Sequence, residues 1–114
     1  MTMLLFLYSL QTSPFLHPVN GKLVPDYYKI VKKPMDLQTI RENLRQRKYV
    51  SREIFLTDVN QIVKNSELYN GGKSVLTLTA QKMFDHCLRR VSAGMGIFRK
   101  SAKFHKILLN FVQI

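Results

Sequence analysis

Residues 65–70 read Asn-Ser-Glu-Leu-Tyr-Asn and run directly into Gly71 and Gly72. The apolar periodicity upstream predicts a long amphipathic helix that ends here, so one aromatic, Tyr69, and one amide, Asn70, arrive together at the lip of a loop. A carboxamide offers a hydrogen-bond donor and an acceptor without charge, which suits a neutral, amide-like ligand better than an ion or a reacting centre. On this argument Asn70 is the candidate reading residue. The competing account is a helix C-cap, since Asn tolerates the left-handed conformation and Gly beside it is the usual stop. Residue type alone leaves both accounts open.

No catalytic constellation accompanies it. His17, His86 and His105 are scattered, and His86 beside Cys87 points to a different helix face, so no metal-ligand spacing is present. Gly71 and Gly72 lack the remaining glycines and the Lys-Ser/Thr ending of a phosphate-binding loop. The seven acids are dispersed, and Cys87 falls on an apolar helical stripe, where a structural thiol is expected rather than a nucleophile. The expectation is a non-enzymatic chain without a cofactor or a metal.

Helices must position Tyr69 and Asn70. Asp36, after Pro34, can cap a helix with Leu37, Ile40 and Leu44 on one face, ending near Lys48. Ser51 can cap the next, with Glu53 in its first turn and Phe55, Val59, Ile62 and Val63 as its buried stripe, running to Asn70. After the two glycines a further helix carries Leu76, Ala80, Met83, Phe84, Cys87, Leu88 and Val91 at bundle spacing, until Gly94 and Gly96 stop it. At the other end, Met3, Leu4, Phe6, Leu7 and Leu10 recur at helical spacing before Ser13 and Pro14. Between Pro14 and Pro34 four prolines and Gly21 remove any helical period, yet the stretch holds Phe15, Val19, Leu23, Val24, Tyr27, Tyr28, Ile30 and Val31. Loops of this length are either functional or an irregular cover over a core, and both readings stand. No strand signal or repeat is present.

The chain has 114 residues, 46% of them hydrophobic, enough for one domain with one core. Eighteen Lys and Arg against seven Asp and Glu give a formal charge of +11, which favours polyanionic surroundings and predicts weak non-specific DNA contact at low salt. A single cysteine permits no internal disulfide, which favours a reducing compartment. The apolar run 3–10 is too short for a bilayer span and lacks a basic leader and a clear cleavage site, so neither membrane association nor targeting is expected.

The stretch PFLHPVNGKLVPDYYKIVKKPMDLQTIRENL, then SREIF, then NSELYN, resembles the bromodomain family, the four-helix readers of acetyl-lysine. The likeness runs from about Pro14 to Arg90. It implies an all-α, left-handed four-helix bundle with a long loop between the first and second helices, here with a short first helix. It places residues 1–91 in the bromodomain and leaves 92–114 as a basic tail outside the family pattern. By the same likeness the acetyl-lysine site consists of Pro14 and Phe15 from the family's Trp-Pro-Phe shelf, Val19, Val24 and Tyr27 on the loop side, Tyr69 and Asn70 on the far wall, and Leu76 at the gatekeeper position. The partners implied are acetylated lysines on histone tails or other nuclear proteins, and the compartment is the nucleus.

The departures are local. Ser13 stands where the family often has its shelf Trp, and only thirteen residues precede Pro14. After Arg90 the charged continuation of the last helix is replaced by VSAGMGIFRK, and Arg99, Lys100, Lys103 and Lys106 make the tail basic. Both ends read as truncated or alternatively spliced boundaries. The first helix is apolar on nearly every face, so self-association through it is expected unless Ile107, Leu108 and Phe111 of the tail cover it. The rival reading is a basic helical nucleic-acid-binding domain, with Lys32, Lys33, Arg41, Arg45, Arg47 and Lys48 on phosphates and Asn70 as a mere cap.

Overall fold

A computed structural model describes residues 13–94, with side chains for 14–92. The expected first helix, the basic tail and their mutual packing lie outside the described residues. Within them the chain is helical, with no strand: a 3-10 turn at Ser13–Phe15, then α1 (Tyr27–Ile30), α2 (Leu37–Arg45), α3 (Arg52–Asn70) and α4 (Val75–Gly94).

Local chemistry sets most of the boundaries. Asp36 is extended, and its carboxylate accepts from Thr39 N at 2.9 Å and from the Thr39 hydroxyl at 2.5 Å, which satisfies the first turn of α2. Ser51 caps α3 in the same way, accepting from Ile54 N at 3.3 Å. The end of α2 falls at Arg45, earlier than the Lys48 expected from the pattern. Arg47 adopts φ 55, while Arg47 N donates to Leu44 O and Lys48 N to Asn43 O. This is a Schellman closure with an arginine where glycine is usual. α3 ends differently: Gly71, at φ 92, holds the left-handed backbone, and its N–H donates to Glu67 O at 3.0 Å. Asn70 is thus the last helical residue, and the capping turn is made by Gly71 backbone.

The core follows the stripes. Leu37, Ile40 and Leu44 from α2, Phe55, Val59 and Ile62 from α3, and Met83, Cys87 and Val91 from α4 close around Tyr49 in one cluster. At nine residues, α2 is shorter than helices that persist alone in water, so this burial, roughly 1.5–3 kcal/mol per large apolar side chain, is what holds it. The Tyr49 hydroxyl donates to Asp58 at 2.7 Å and accepts from Asn43 at 3.3 Å, so the buried ring brings its polar tip to a satisfied position. Leu76 and Leu88, expected on the α4 bundle face, are instead exposed at 37% and 40%. The buried α4 stripe is Thr77, Ala80, Met83, Cys87 and Val91.

The Pro-rich stretch is neither wholly irregular nor mainly a core cover. It contains the single turn α1, none of whose residues is buried. Of its apolar residues only Val31 is buried, whereas Leu23 is 79% exposed. Side chains pin it instead: Asn65 donates to Lys33 O at 2.8 Å, Tyr69 to Asp26 at 2.7 Å, and Tyr28 to Val19 O at 2.5 Å. His17 Nδ1 meets the Gln38 carbonyl oxygen at 2.8 Å, and Gln38 N donates to Leu16 O at 3.0 Å. These bonds hold the loop over one end of α3.

Candidate functional site

At that end is a cleft of about 150 Å³. All eight residues expected at the site, Pro14, Phe15, Val19, Val24, Tyr27, Tyr69, Asn70 and Leu76, line it. They come from four places: the 3-10 turn, the loop with α1, the C-terminal turn of α3, and the first turn of α4. Five further lining residues escaped the sequence reading: His17, Met35, Ile62, Asn65 and Ser66. Three of these carry a signal that was there to be used. Ile62, Ser66, Tyr69 and Asn70 recur at i, i+4, i+7 and i+8 along α3 and so share one helical face, with Asn65 next to it. His17 and Met35 carry no such signal, because loop packing brings them in.

The lining contains no aspartate or glutamate. Asp26, next to the lining Tyr27, accepts the Tyr69 hydroxyl, and that hydrogen bond, followed by burial, raises the Tyr69 pKa. Burial, reinforced by the neighbouring Tyr28, likewise raises the Tyr27 pKa, so both phenols stay neutral donors at physiological pH. The rings are locked edge to face: Tyr27 lies 5.0 Å from Tyr69 at 61° and 5.2 Å from Tyr28 at 85°. Such contacts contribute roughly 0.5–1.5 kcal/mol beyond burial and fix the loop wall against the α3 wall.

Asn70 is exposed at the lip, and its side-chain NH2 donates to Ser66 Oγ at 3.1 Å. Since Gly71 performs the capping, this carboxamide is not consumed by closing the helix. One N–H is engaged inward, leaving the other N–H and the carbonyl oxygen for a ligand. Apolar walls with one oriented amide at the mouth suit a small neutral, amide-like group better than an ion. Among the described residues no group of His, Cys, Asp and Glu could hold a metal ion. Cys87 is buried in the core, where desolvation pushes its thiol up to about 12, well outside the range of a nucleophile.

A family model for the bromodomain matches residues 5–82, and the chain belongs to the bromodomain family. Its fold class is accordingly the left-handed four-helix bundle, and the family is one of acetyl-lysine reader modules in transcription and chromatin rather than of enzymes. The match starts upstream of Pro14 and stops short of Arg90. Within the family the motifs are similar to those of the largest subunit of TFIID. In keeping with that, the chain is 64% identical over 75 residues to transcription initiation factor TFIID subunit 1 of Drosophila melanogaster, covering 66% of this chain and 4% of that protein. It is 43% identical over 90 residues to the subunit of the same name in Caenorhabditis elegans, covering 79% of the chain and 5% of the relative. It is also 53% identical over 57 residues to bromodomain adjacent to zinc finger domain protein 2B of Homo sapiens, covering 50% of the chain and 3% of that protein. The chain thus spans no more than 5% of the length of these relatives.

Proposed function

We propose that the cleft binds the acetylated side chain of lysine on histone tails or other nuclear proteins, and that the chain acts in the nucleus as a reader in transcription. The observation that carries this is the Asn70 carboxamide at the lip of a cleft whose lining holds no acid. Acetylation turns an ammonium into a neutral amide. The outward Asn70 N–H donates to the acetyl oxygen, and Tyr27 reaches the same oxygen through an ordered water. Phe15, Val19, Val24 and Leu76 enclose the methyl and the alkyl stem. An unmodified lysine would bring an ammonium into this slot without a counter-charge, at a cost of several kcal/mol.

Calorimetry with acetylated and unmodified histone peptides tests the reading. Asn70→Asp replaces the donor by an ionised acceptor and should weaken acetylated-peptide binding by roughly ten- to a hundredfold, the size of a lost hydrogen bond plus an unpaired polar group, with helix content retained. Equal binding by Asn70→Asp and the parent would remove Asn70 from the site. The charge of +11 and the exposed Lys32, Lys33, Arg45, Arg47 and Lys48, with the partly exposed Arg41, favour a second, phosphate-driven contact with DNA. That contact should fade steeply as salt rises, whereas acetyl-lysine binding should change little. DNA binding that persists at physiological salt, with indifference to acetylation, would instead support the nucleic-acid reading.

A further inference from the structure

Three polar groups behind Asn70 form a chain whose proton count has only one solution. Thr77 Oγ1 lies 2.7 Å from Gly71 O, and since a carbonyl has no proton to give, the single Thr77 hydroxyl proton goes there. Ser66 Oγ lies 2.8 Å from Thr77 Oγ1. Thr77 has spent its proton, so Ser66 must be the donor in this pair. Ser66 Oγ then has only lone pairs to offer, and Asn70 meets it at 3.1 Å through its NH2. Turned over, the Asn70 carboxamide would set its oxygen against Ser66 Oγ with no proton between them. Ser66 and Thr77 are 4% and 3% exposed, so water has little access to relieve that contact. The starting point of the chain is the unusual backbone of Gly71, which ends α3 at φ 92 with its carbonyl accepting from α4.

We infer that Thr77 is a positioning residue for ligand recognition: through Ser66 it fixes which way the Asn70 carboxamide faces, with one N–H held on Ser66 and the other N–H and the carbonyl oxygen kept in a single arrangement at the lip. The inference rests on the proposed acetyl-lysine reading only for its consequence, namely that the acetyl amide meets one fixed arrangement of the Asn70 carboxamide rather than two. The orientation itself is a property of the free protein. Thr77 does not line the cleft, and nothing in the amphipathic pattern of α4 distinguishes it from a core threonine. Valine at 77 keeps the shape and removes the proton. Ser66 is then free to donate toward Asn70, and both amide orientations become compatible with the network.

Two measurements separate the inference from the reading beneath it. In the ligand-free parent, nuclear magnetic resonance should show the two Asn70 side-chain N–H protons as strongly inequivalent, the inward one exchanging more slowly with water. In Thr77→Val that difference should collapse, and in Thr77→Ser it should return. Equal exchange of both protons in the parent overturns the inference without any variant. With a singly acetylated histone tail peptide as probe, Thr77→Val should bind about three- to tenfold more weakly by calorimetry, the scale of one hydrogen bond, and Thr77→Ser should restore the affinity. Ser66→Ala cuts the same chain, so the Thr77→Val effect should vanish in the Ser66→Ala background. Effects of the two changes that simply add would overturn the relay. If the parent binds no acetylated peptide, the reading of the site fails, while the carboxamide signals still decide the relay.

Discussion

Replacing Asn65 by alanine should loosen the loop from α3 more than any single change at the cleft mouth. Asn65 is 5% exposed; its NH2 donates to Lys33 O at 2.8 Å across 32 residues, and its oxygen accepts from Gln61 Nε2 at 2.9 Å. Removing the side chain deletes the first bond, worth about 0.5–1.5 kcal/mol net, and leaves a partly buried backbone carbonyl to find water, which costs up to about 1 kcal/mol more. Gln61 is partly exposed and can turn to solvent, so its loss is close to nothing. The vacated volume adjoins an open cleft that water can enter, so no large cavity cost is added. The sum is about 0.5–2.5 kcal/mol, or a Tm lowered by roughly 2–15 °C for a domain of this size. The anchor at Lys33 sits between Tyr27 and Met35, both of which line the cleft, so acetylated-peptide affinity should fall threefold or more as the wall loosens. Thermal melts with calorimetry on Asn65→Ala, with Gln61→Ala as the near-neutral control, measure both effects. A Tm within about 1 °C of the parent together with unchanged peptide affinity would refute the pin.

Arg47→Gly should stabilise the fold by about 0.5–1 kcal/mol, because glycine adopts φ 55 without the Cβ penalty that arginine bears, less the entropy that glycine adds to the unfolded chain; urea titration reads the sign directly. Stability should fall as pH rises above about 9: burial raises the Cys87 thiol from 9.0 to about 12 and the Tyr27 pKa also rises, so the unfolded chain gives up protons that the folded one keeps. These groups contribute fully below their unfolded values and lose their contribution through the folded ones, so denaturant midpoints at pH 7 and 10.5 should differ in that direction. In the native state Cys87 should resist thiol reagents, and rapid labelling at pH 7 would contradict its burial.

The α2 and α3 helices were legible because their determinants are short-range: Asp36 and Ser51 cap by bonds that span three residues, and the 37–40–44 and 55–59–62 stripes need only the helical period. That Pro14, Phe15, Val19, Val24, Tyr27, Tyr69, Asn70 and Leu76 come together in one cleft was legible for another reason, the likeness of their motifs to a family, since no period links Pro14 to Leu76. Three features were settled only by the tertiary structure. Leu76 and Leu88 sit at bundle spacing yet outside the buried stripe, because what a helix face buries depends on the neighbour it meets. Arg47 ends α2 early through two backbone bonds that no residue preference announces. Which residue makes the turn that closes α3 was likewise decided there: Gly71 takes the left-handed backbone, and Asn70 stays helical. His17, Met35 and the Ser66–Thr77 chain reach the site through contacts between segments far apart in sequence. Such long-range pairing leaves no periodic trace in the chain, because the partners are brought together by the packing of α3 against α4 and by the pinned loop.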